Sequence, residues 1–425
     1  MDRLIYKFSI IILLSINVNV SGQVSDYKQK GLDEGKNRNF PLAISYLKQA
    51  LEKNPNDPEI YFHLGKYSHY IVYDSRPFPE KGDEWSKNEI IKNLEKAIEL
   101  KPDYGYAYYF LGAEYGARAL EALKNGDVQQ FKSELINGKK SGGYPDWMLE
   151  YGRNLLNSCE KNAILFLSGD LQVNAVFYVQ LMEEYRKDVL PIPPFLLARP
   201  WYAKLLKKGI PGVWDKAPIS WTEDNILDMH PYQWRNQIVE IPISDSCMKI
   251  YNIPTQNKTM KWELKPDIGK YSLDAGTALL SNIIETNEWT RPIYFSSGPP
   301  GSIYDLNDYF QITGITNKLL PFKTVNTEFR YDLSSTERVL LDPSSYINFP
   351  DLAIHDLSYA TDFFPYNYRK LLFDLAQYYF SNGNPQKALS IIEKMEEFMP
   401  ESVYPTPGYL LQEIDRLKDT LRDQK

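Results

Sequence analysis

Residue types that do chemistry are scarce in this chain. Four histidines (His63, His69, His230, His355) and two cysteines (Cys159, Cys247) are spread over 425 residues. Two cysteines cannot build a disulfide framework or a cysteine-rich zinc site. They either pair with each other or stay free and buried. His63 and His69 stand six apart on one helical stretch, a spacing that keeps two rings from sharing a metal. His230 precedes Pro231 in an aromatic segment and reads as a structural hydrogen-bonder. No Walker loop, dinucleotide glycine fingerprint, nucleophile elbow or HExxH motif occurs. The expectation is a protein with no metal, no cofactor and no recognisable catalytic set.

Two groups remain as candidates for binding. Ser168, Gly169 and Asp170 follow the apolar run Ala163–Leu167, and Ser296, Ser297 and Gly298 end a second run from Arg291. Ligands on open parallel sheets bind beyond the carboxyl ends of the strands, which is where these residues fall. Asp170 offers a catalytic or ribose-binding carboxylate, or else the N-cap of the next helix. No second acid, base or metal ligand stands beside it at motif spacing. The second group is Phe62, Lys66, His69, Tyr106 and Tyr109. Rings beside a lysine and a histidine suit an extended peptide or a carboxylate. The competing account is that these rings pack inward, because aromatic stripes at helical spacing are commonly core.

The second group is defined by a repeat. Ala43-x3-Leu47-x2-Ala50-x4-Pro55 is the second-helix half of a tetratricopeptide repeat. It recurs as Leu94-x2-Ala97-x4-Pro102 and as Ala388-x3-Ile392-x2-Met395-x4-Pro400. First-helix signals stand at the matching phase: Tyr61-x2-Leu64-Gly65, Tyr108-x2-Leu111-Gly112 and Leu372-x2-Leu375-Ala376. Small residues let antiparallel helices touch, large ones fill between them, and proline ends the second helix. The phase puts the five residues of the second group on the concave, first-helix face. An insertion between Ile71 and Asn88 should form a loop, and the helix at Gln129–Lys140 lacks the consensus alanines.

The first group needs a sheet. After Ala163–Leu167 come a helix over Val173–Tyr185, a strand at Asp188–Ile192 and a helix over Pro200–Lys208. Downstream, Tyr251–Leu264 alternates like a hairpin, Ser272–Asn287 reads as a helix and Arg291–Ser296 as another strand. Buried strands alternating with helices argue for a small, mostly parallel sheet. The fold class is therefore α plus α/β: tetratricopeptide-like segments at 23–145 and 346–425 flank an α/β domain at 146–345.

Residues 1–22 read as a signal peptide. Arg3 and Lys7 precede the apolar core Ile10–Leu14, and Val20 and Gly22 suit cleavage before Gln23. Asn17 and Asn19 interrupt the run, and no other stretch approaches 18 apolar residues. The mature protein should be soluble and exported, to a periplasm or outside the cell, touching the membrane only before cleavage. With 48 basic against 55 acidic residues, there is no charge surplus for nucleic acid.

The central motifs resemble a known family. Asn162–Asp170, then Tyr178-x-Gln180, Arg186–Val189 and Pro200-Trp201-Tyr202, are similar to the soluble C-terminal portion of protein O-mannosyltransferase-like membrane proteins. Arg291–Phe295, Gly314, Leu320-Pro321 and Met399-Pro400-Glu401 continue the likeness in the same order, over about Asn162–Tyr409. The resemblance implies a link to glycosyl transfer, whose catalytic acids in that family sit near a membrane helix. No residue here matches those acids. Where the family continues from Gly-Asp with Asn-Asp-Thr, Gly169-Asp170 runs into Leu171-Gln172-Val173. The sequence therefore points to a non-enzymatic, exported scaffold that binds a protein or peptide through its repeats, accessory to envelope assembly or glycosylation. The alternative is a soluble glycan-related enzyme or sugar-binding protein that uses the strand ends.

Overall fold

The computed structural model describes residues 26–73, 87–251, 253, 258–296, 304–325, 327–355 and 358–423. The expected signal peptide, most of the insertion after Ile71, and Ser297 and Gly298 lie outside these residues. The described residues fall into two compact units. The first runs up to Glu121 and includes Ser133–Tyr144; the second takes Ala122–Lys132, Pro145–Ala353 and the chain from Ser358 on.

Helical hairpins build the first unit. Its helices are α1 (26–36), α2 (Phe40–Lys53), α3 (Pro58–Tyr73), α4 (Lys87–Leu100), and the unit's parts of α5 (Gly105–Lys124) and α6 (Val128–Lys140). Pro41 starts α2 inside its first turn, and Asp57 starts α3 by accepting from the Glu59 amide at 3.0 Å. The alanines and leucines of the repeat pattern are the contact surface: Ala43, Leu47, Ala50, Leu94 and Ala97 are all buried. A Cβ on Gly31 or Gly65 would lie 2.7 Å from the Cγ of Leu47 or Leu94 respectively. These two glycines stand one 34-residue repeat period apart. Only a hydrogen side chain allows that helix approach, and Gly31 is a phase marker that the second-helix pattern alone overlooks. Replacing Ala50 or Ala97 by Trp should destabilise the unit by about 1–3 kcal/mol, since an overpacked side chain separates the hairpin. Thermal melts check this, and an unchanged midpoint in both variants would show the phase to be wrong.

The second unit is built on a mixed sheet. The chain enters through α7 (Asp146–Asn157), then β1 (Ile164–Phe166), α8 (Asp170–Met182), β2 (Leu190–Ile192), α9 (Pro194–Leu197) and α10 (Pro200–Lys208). Next come α11 (Glu223–Leu227), β3 (Tyr232–Gln233), β4 (Gln237–Pro242), α12 (Asp245–Ile250), β5 (Thr259–Leu264) and β6 (Ser272–Leu273). The sheet resumes after α13 (Ala275–Asn287) with β7 (Ile293–Ser296), β8 (Phe310–Thr313), β9 (Thr316–Leu319) and β10 (Tyr331–Asp332). Its order is β10-β8-β9-β7-β1-β2. β1 pairs parallel with both β2 and β7, while β9 runs antiparallel to β7 and β8. Every residue of β1, β2 and β7 is buried, as strands covered on both faces require. The described chain ends in α14 (Leu333–Leu340), α15 (Ser358–Ser381), α16 (Pro385–Phe398) and α17 (Gly408–Asp423). The predicted terminal repeat is the α15–α16 hairpin, with Leu372, Ala376, Ala388, Ile392 and Met395 buried.

Three local expectations need correction. The hairpin lies not within Tyr251–Leu264 but between β4 and β5, with Tyr251 following α12. The helix read from Ser272 starts at Ala275, because Asp274 caps it by accepting from the Gly276 amide at 2.7 Å. Asp170 is not an N-cap: Gly169 holds that place at φ 85°, and Asp170 lies in the first turn of α8. The two cysteines are unpaired and buried. No described helix is long and apolar enough to cross a membrane.

Candidate functional site

On the repeats, the structure gathers most of the predicted residues around one buried ring. Phe62 is only 4% exposed and packs on Tyr104, Tyr106 and Phe110 at centroid distances of 4.8, 6.4 and 5.7 Å. Tyr109 packs edge-on against the same Phe110 at 5.2 Å. His69 is also buried, with Nδ1 2.9 Å from Glu114 Oε2, and Arg118 donates to the other Glu114 oxygen at 3.0 Å. Phe62 and His69 thus serve the interior of the repeats, while Lys66, Tyr106 and Tyr109 stay half-buried. Lys66 has no carboxylate partner among the described residues. Its ammonium lies 5.7 Å from the Phe62 ring centre, 6.0 Å from Tyr70 and 5.5 Å from Phe110. Burial pushes its pKa below the usual lysine range.

At the strand ends, the predicted residues separate. The Ser168 amide donates to Gln172 Oε1 and to Ser296 Oγ, both at 3.0 Å, and the Ser296 hydroxyl donates to the same Gln172 oxygen. These bonds tie the ends of β1 and β7 to the first turn of α8. Asp170 is exposed beyond them, at a helix N-terminus where a negative charge is favoured.

Ser168 and Ser296 also form one wall of a cavity of about 750 Å³. Its remaining lining comes from elements that carry no motif. Pro194 and Phe195 enter from α9, Leu264–Ile268 from the end of β5, Asp274, Gly276 and Thr277 from the start of α13, and Tyr304 and Asp305 from the segment before β8. Asp267 accepts from the Asp274 amide at 2.7 Å and from the Thr277 hydroxyl at 2.5 Å, which locks both acids in place. Lys265 reaches Asp305 at 3.1 Å. Burial, reinforced by the charges of Asp267 and Asp274, pushes the Tyr304 phenol up to about 12. Beyond Ser168 and Ser296, the sequence signal for the acidic side of this site was a lone aspartate before a small-residue helix start, and it reads first as a cap. Among the described residues no group of three or more histidines, cysteines and acids is placed to hold a metal.

The residues that carry the family likeness are clamps. Gln180 donates to the carbonyls of Arg186 and Val189 at 2.9 and 2.8 Å and accepts from the Trp214 indole at 2.9 Å. Arg186 forks onto Asp188 at 2.9 and 3.0 Å and also donates to the carbonyls of Leu156, Cys159 and Glu160. Arg291 holds the carbonyls of Asn162 and Ala163 beside β1. These bonds fix backbone, and Gln180, Arg186 and Arg291 do not line the cavity, whereas Phe166, Leu167, Ser168 and Phe295 of the same stretches do.

Comparison with known proteins agrees with both units. Residues 148–253 and 235–338 match the model of TMEM260-associated domain 2, and residues 28–68 match a tetratricopeptide repeat. A curated relative is the protein O-mannosyl-transferase TMEM260 of Mus musculus, 36% identical over 64 residues. That match takes in 15% of this chain and 9% of the mouse protein, so it spans a small part of that protein's length. The chain is thus similar to a tetratricopeptide repeat over residues 28–68 and to TMEM260-associated domain 2 over residues 148–338.

Proposed function

We propose that this protein is an exported, non-enzymatic scaffold that takes a polypeptide partner on the first-helix face of its N-terminal repeats. Repeats of this kind serve protein binding, and the likeness of the central segment to a TMEM260-associated domain supports a role accessory to glycosylation; accessory work in envelope assembly is the other form of the same proposal. One observation carries the reading: Lys66 is a half-buried cation with no carboxylate partner among the described residues, surrounded by rings, on the same face as the partly exposed Tyr106 and Tyr109. A desolvated ammonium at such a place gains most from an anionic group brought by a partner. Phe62 belongs to the core of the same face, so its role is to hold the other three.

The test combines Lys66→Glu with Tyr109→Ala in the full chain. Capture of the partner from a cell-envelope extract should fall at least tenfold while the melting temperature holds. Equal capture by variant and wild type would refute the assignment. Export is checked in the same preparation by mass spectrometry of the N-terminus, where Gln23 is expected and an intact Met1 would contradict it.

A further inference from the structure

We propose that the strand-end cavity and the groove continuing from it along β5 hold an extended polypeptide, with one of its lysine or arginine side chains seated at Asp267 and Asp274. This site lies in the α/β unit and stands independently of the repeat face.

The cavity has a charge that nothing among the described residues in it balances. Asp267 and Asp274 accept only from two backbone amides and the Thr277 hydroxyl, and no described cation pairs with either. Lys265, the single basic residue in the described lining, is engaged by Asp305. Around the two acids stand Phe166, Phe195, Phe295 and Tyr304, and Phe195 is 46% exposed despite being apolar. Carboxylates beside aromatic faces are the surroundings an ammonium or guanidinium group prefers. The acids give charge-assisted hydrogen bonds and the rings attract a cation through their negative faces.

An extended ligand follows from what adjoins the cavity. Lys265 and Asp305 also line a second cavity of about 310 Å³, whose lining includes Lys261, Glu263 and Tyr309. Lys261, Tyr309 and Lys323 are in turn shared with a third cavity of about 440 Å³. The three therefore follow β5 from Leu264 back to Thr259. In the middle one, Lys265 pairs with Asp305 and Lys323 with Asp308, and Lys261 lies 3.8 Å from Glu240, so that stretch is close to neutral. The third is mainly apolar, lined by Ile243, Ile253, Met260, Phe322 and Phe329 beside Lys261, Lys323 and Glu328. Leu264 and Met260 are four residues apart, or about 13 Å of strand. An extended peptide covers that span in four residues, and residues i and i+4 of a strand point to the same side. The acids lie beyond Leu264, so the ligand should then carry a basic residue and, four or more positions away, a bulky apolar one. The carbonyl of Lys261 already accepts from the Tyr309 hydroxyl, so the peptide lies in the groove through its side chains and does not add a strand.

The experiment pans the full-length protein against an immobilised library of acetylated random decapeptides and sequences the bound fraction. Lysine or arginine four or more positions from Leu, Met or Phe should be enriched at least tenfold. Asp267→Asn and Asp274→Asn should each cut that enrichment at least fivefold; asparagine remains a good N-cap, so the second variant should melt like the wild type. Phe195→Ala, at an exposed position, gives a further variant if either asparagine change fails to fold, and should weaken the selected peptides several-fold. The Lys66→Glu, Tyr109→Ala variant should leave the enrichment intact, which separates this site from the repeat face. No basic enrichment, or enrichment that survives both asparagine variants, overturns the proposal. Displacement of the selected peptides by a neutral tetrasaccharide at equal concentration would also overturn it, and would assign the cavity to a carbohydrate.

Discussion

Arg186→Met is expected to destabilise the α/β unit by about 3–5 kcal/mol. The guanidinium donates to the carbonyls of Leu156, Cys159 and Glu160, at 2.8, 3.1 and 2.9 Å, around the C-terminal end of α7. Carbonyls in the last turn of a helix have no partner inside the helix, and this side chain supplies one from outside. Its fork on Asp188 adds two charged bonds, and Asp188 in turn accepts from the Asn162 amide at 2.9 Å, just before β1. Methionine fills similar space and removes every donor. The carbonyls and the carboxylate then lose these bonds, at a cost of about 1–3 kcal/mol for each buried group left unsatisfied, while the Leu156 carbonyl keeps the Cys159 amide and Asp188 keeps the Asn162 amide. Arg186→Lys should recover less than half, because an ammonium cannot make the planar fork.

The same variant has a signature in pH. The bonds from Arg186 hold the Asp188 carboxyl below the ordinary aspartate range. A carboxyl with a depressed folded-state pKa stabilises the fold above its unfolded value of about 4, and that contribution disappears as pH falls through the depressed folded value. The gap in unfolding free energy between wild type and Arg186→Met should be widest above pH ~4 and shrink below it. Urea titrations at a series of pH values measure both effects. A loss under about 1 kcal/mol at neutral pH would sink the clamp.

Gly314→Ala should cost about 3 kcal/mol or more. Gly314 sits in the tight turn between β8 and β9 with φ 59°, a conformation that strains any side-chain-bearing residue. A Cβ there would stand 2.2 Å from Ser158 Oγ and 2.8 Å from Ser158 Cβ. Ser158 cannot simply turn away: its hydroxyl donates to the Asn154 carbonyl at 2.8 Å and accepts from the Ile315 amide at 3.0 Å. The clash therefore breaks bonds that join α7 to the hairpin, in addition to the backbone strain. Combining Gly314→Ala with Ser158→Gly should relieve the collision but not the strain, leaving a net loss between those of Gly314→Ala and the wild type's zero. A melting temperature for Gly314→Ala within a degree or two of wild type would show that the turn tolerates a side chain.

Both residues lie in the stretches that carry the family likeness, and both act on backbone. In this chain Gln180, Arg186, Asp188, Arg291 and Gly314 serve to join α7, β1 and their neighbouring segments through backbone, and they assign no ligand. The likeness transfers architecture to this chain far more securely than it transfers chemistry.

Local periodicity was enough to place many of the elements. Pro200–Lys208 is a helix because proline opens it and glycine at φ 74° ends it, both readable in place. Ala43, Leu47, Ala50, Ala388 and Ile392 are buried because a repeat of small and large residues has one use, the close packing of neighbouring helices. Ala163–Leu167 is a central strand because a run apolar on both faces must be covered on both. Other properties of the chain depend on which segments meet. The phase gave Phe62 and His69 their face, but only the approach of α5 buries them, against Phe110 and Glu114. The alternation in Tyr251–Leu264 read as a hairpin, yet only Thr259–Leu264 is strand there and its partner is Gln237–Pro242, because pairing is set by distant hydrogen bonds and not by local pattern. The cavity is the extreme case. Ser168 and Ser296 were visible as strand ends, but the two acids that give the cavity its charge come from β5's end and α13's cap, each bound to near neighbours for an ordinary local reason. Helices, strands and repeat phase are short-range properties that neighbouring residues determine together, whereas a site is a coincidence of surfaces that exists only once the sheet has closed.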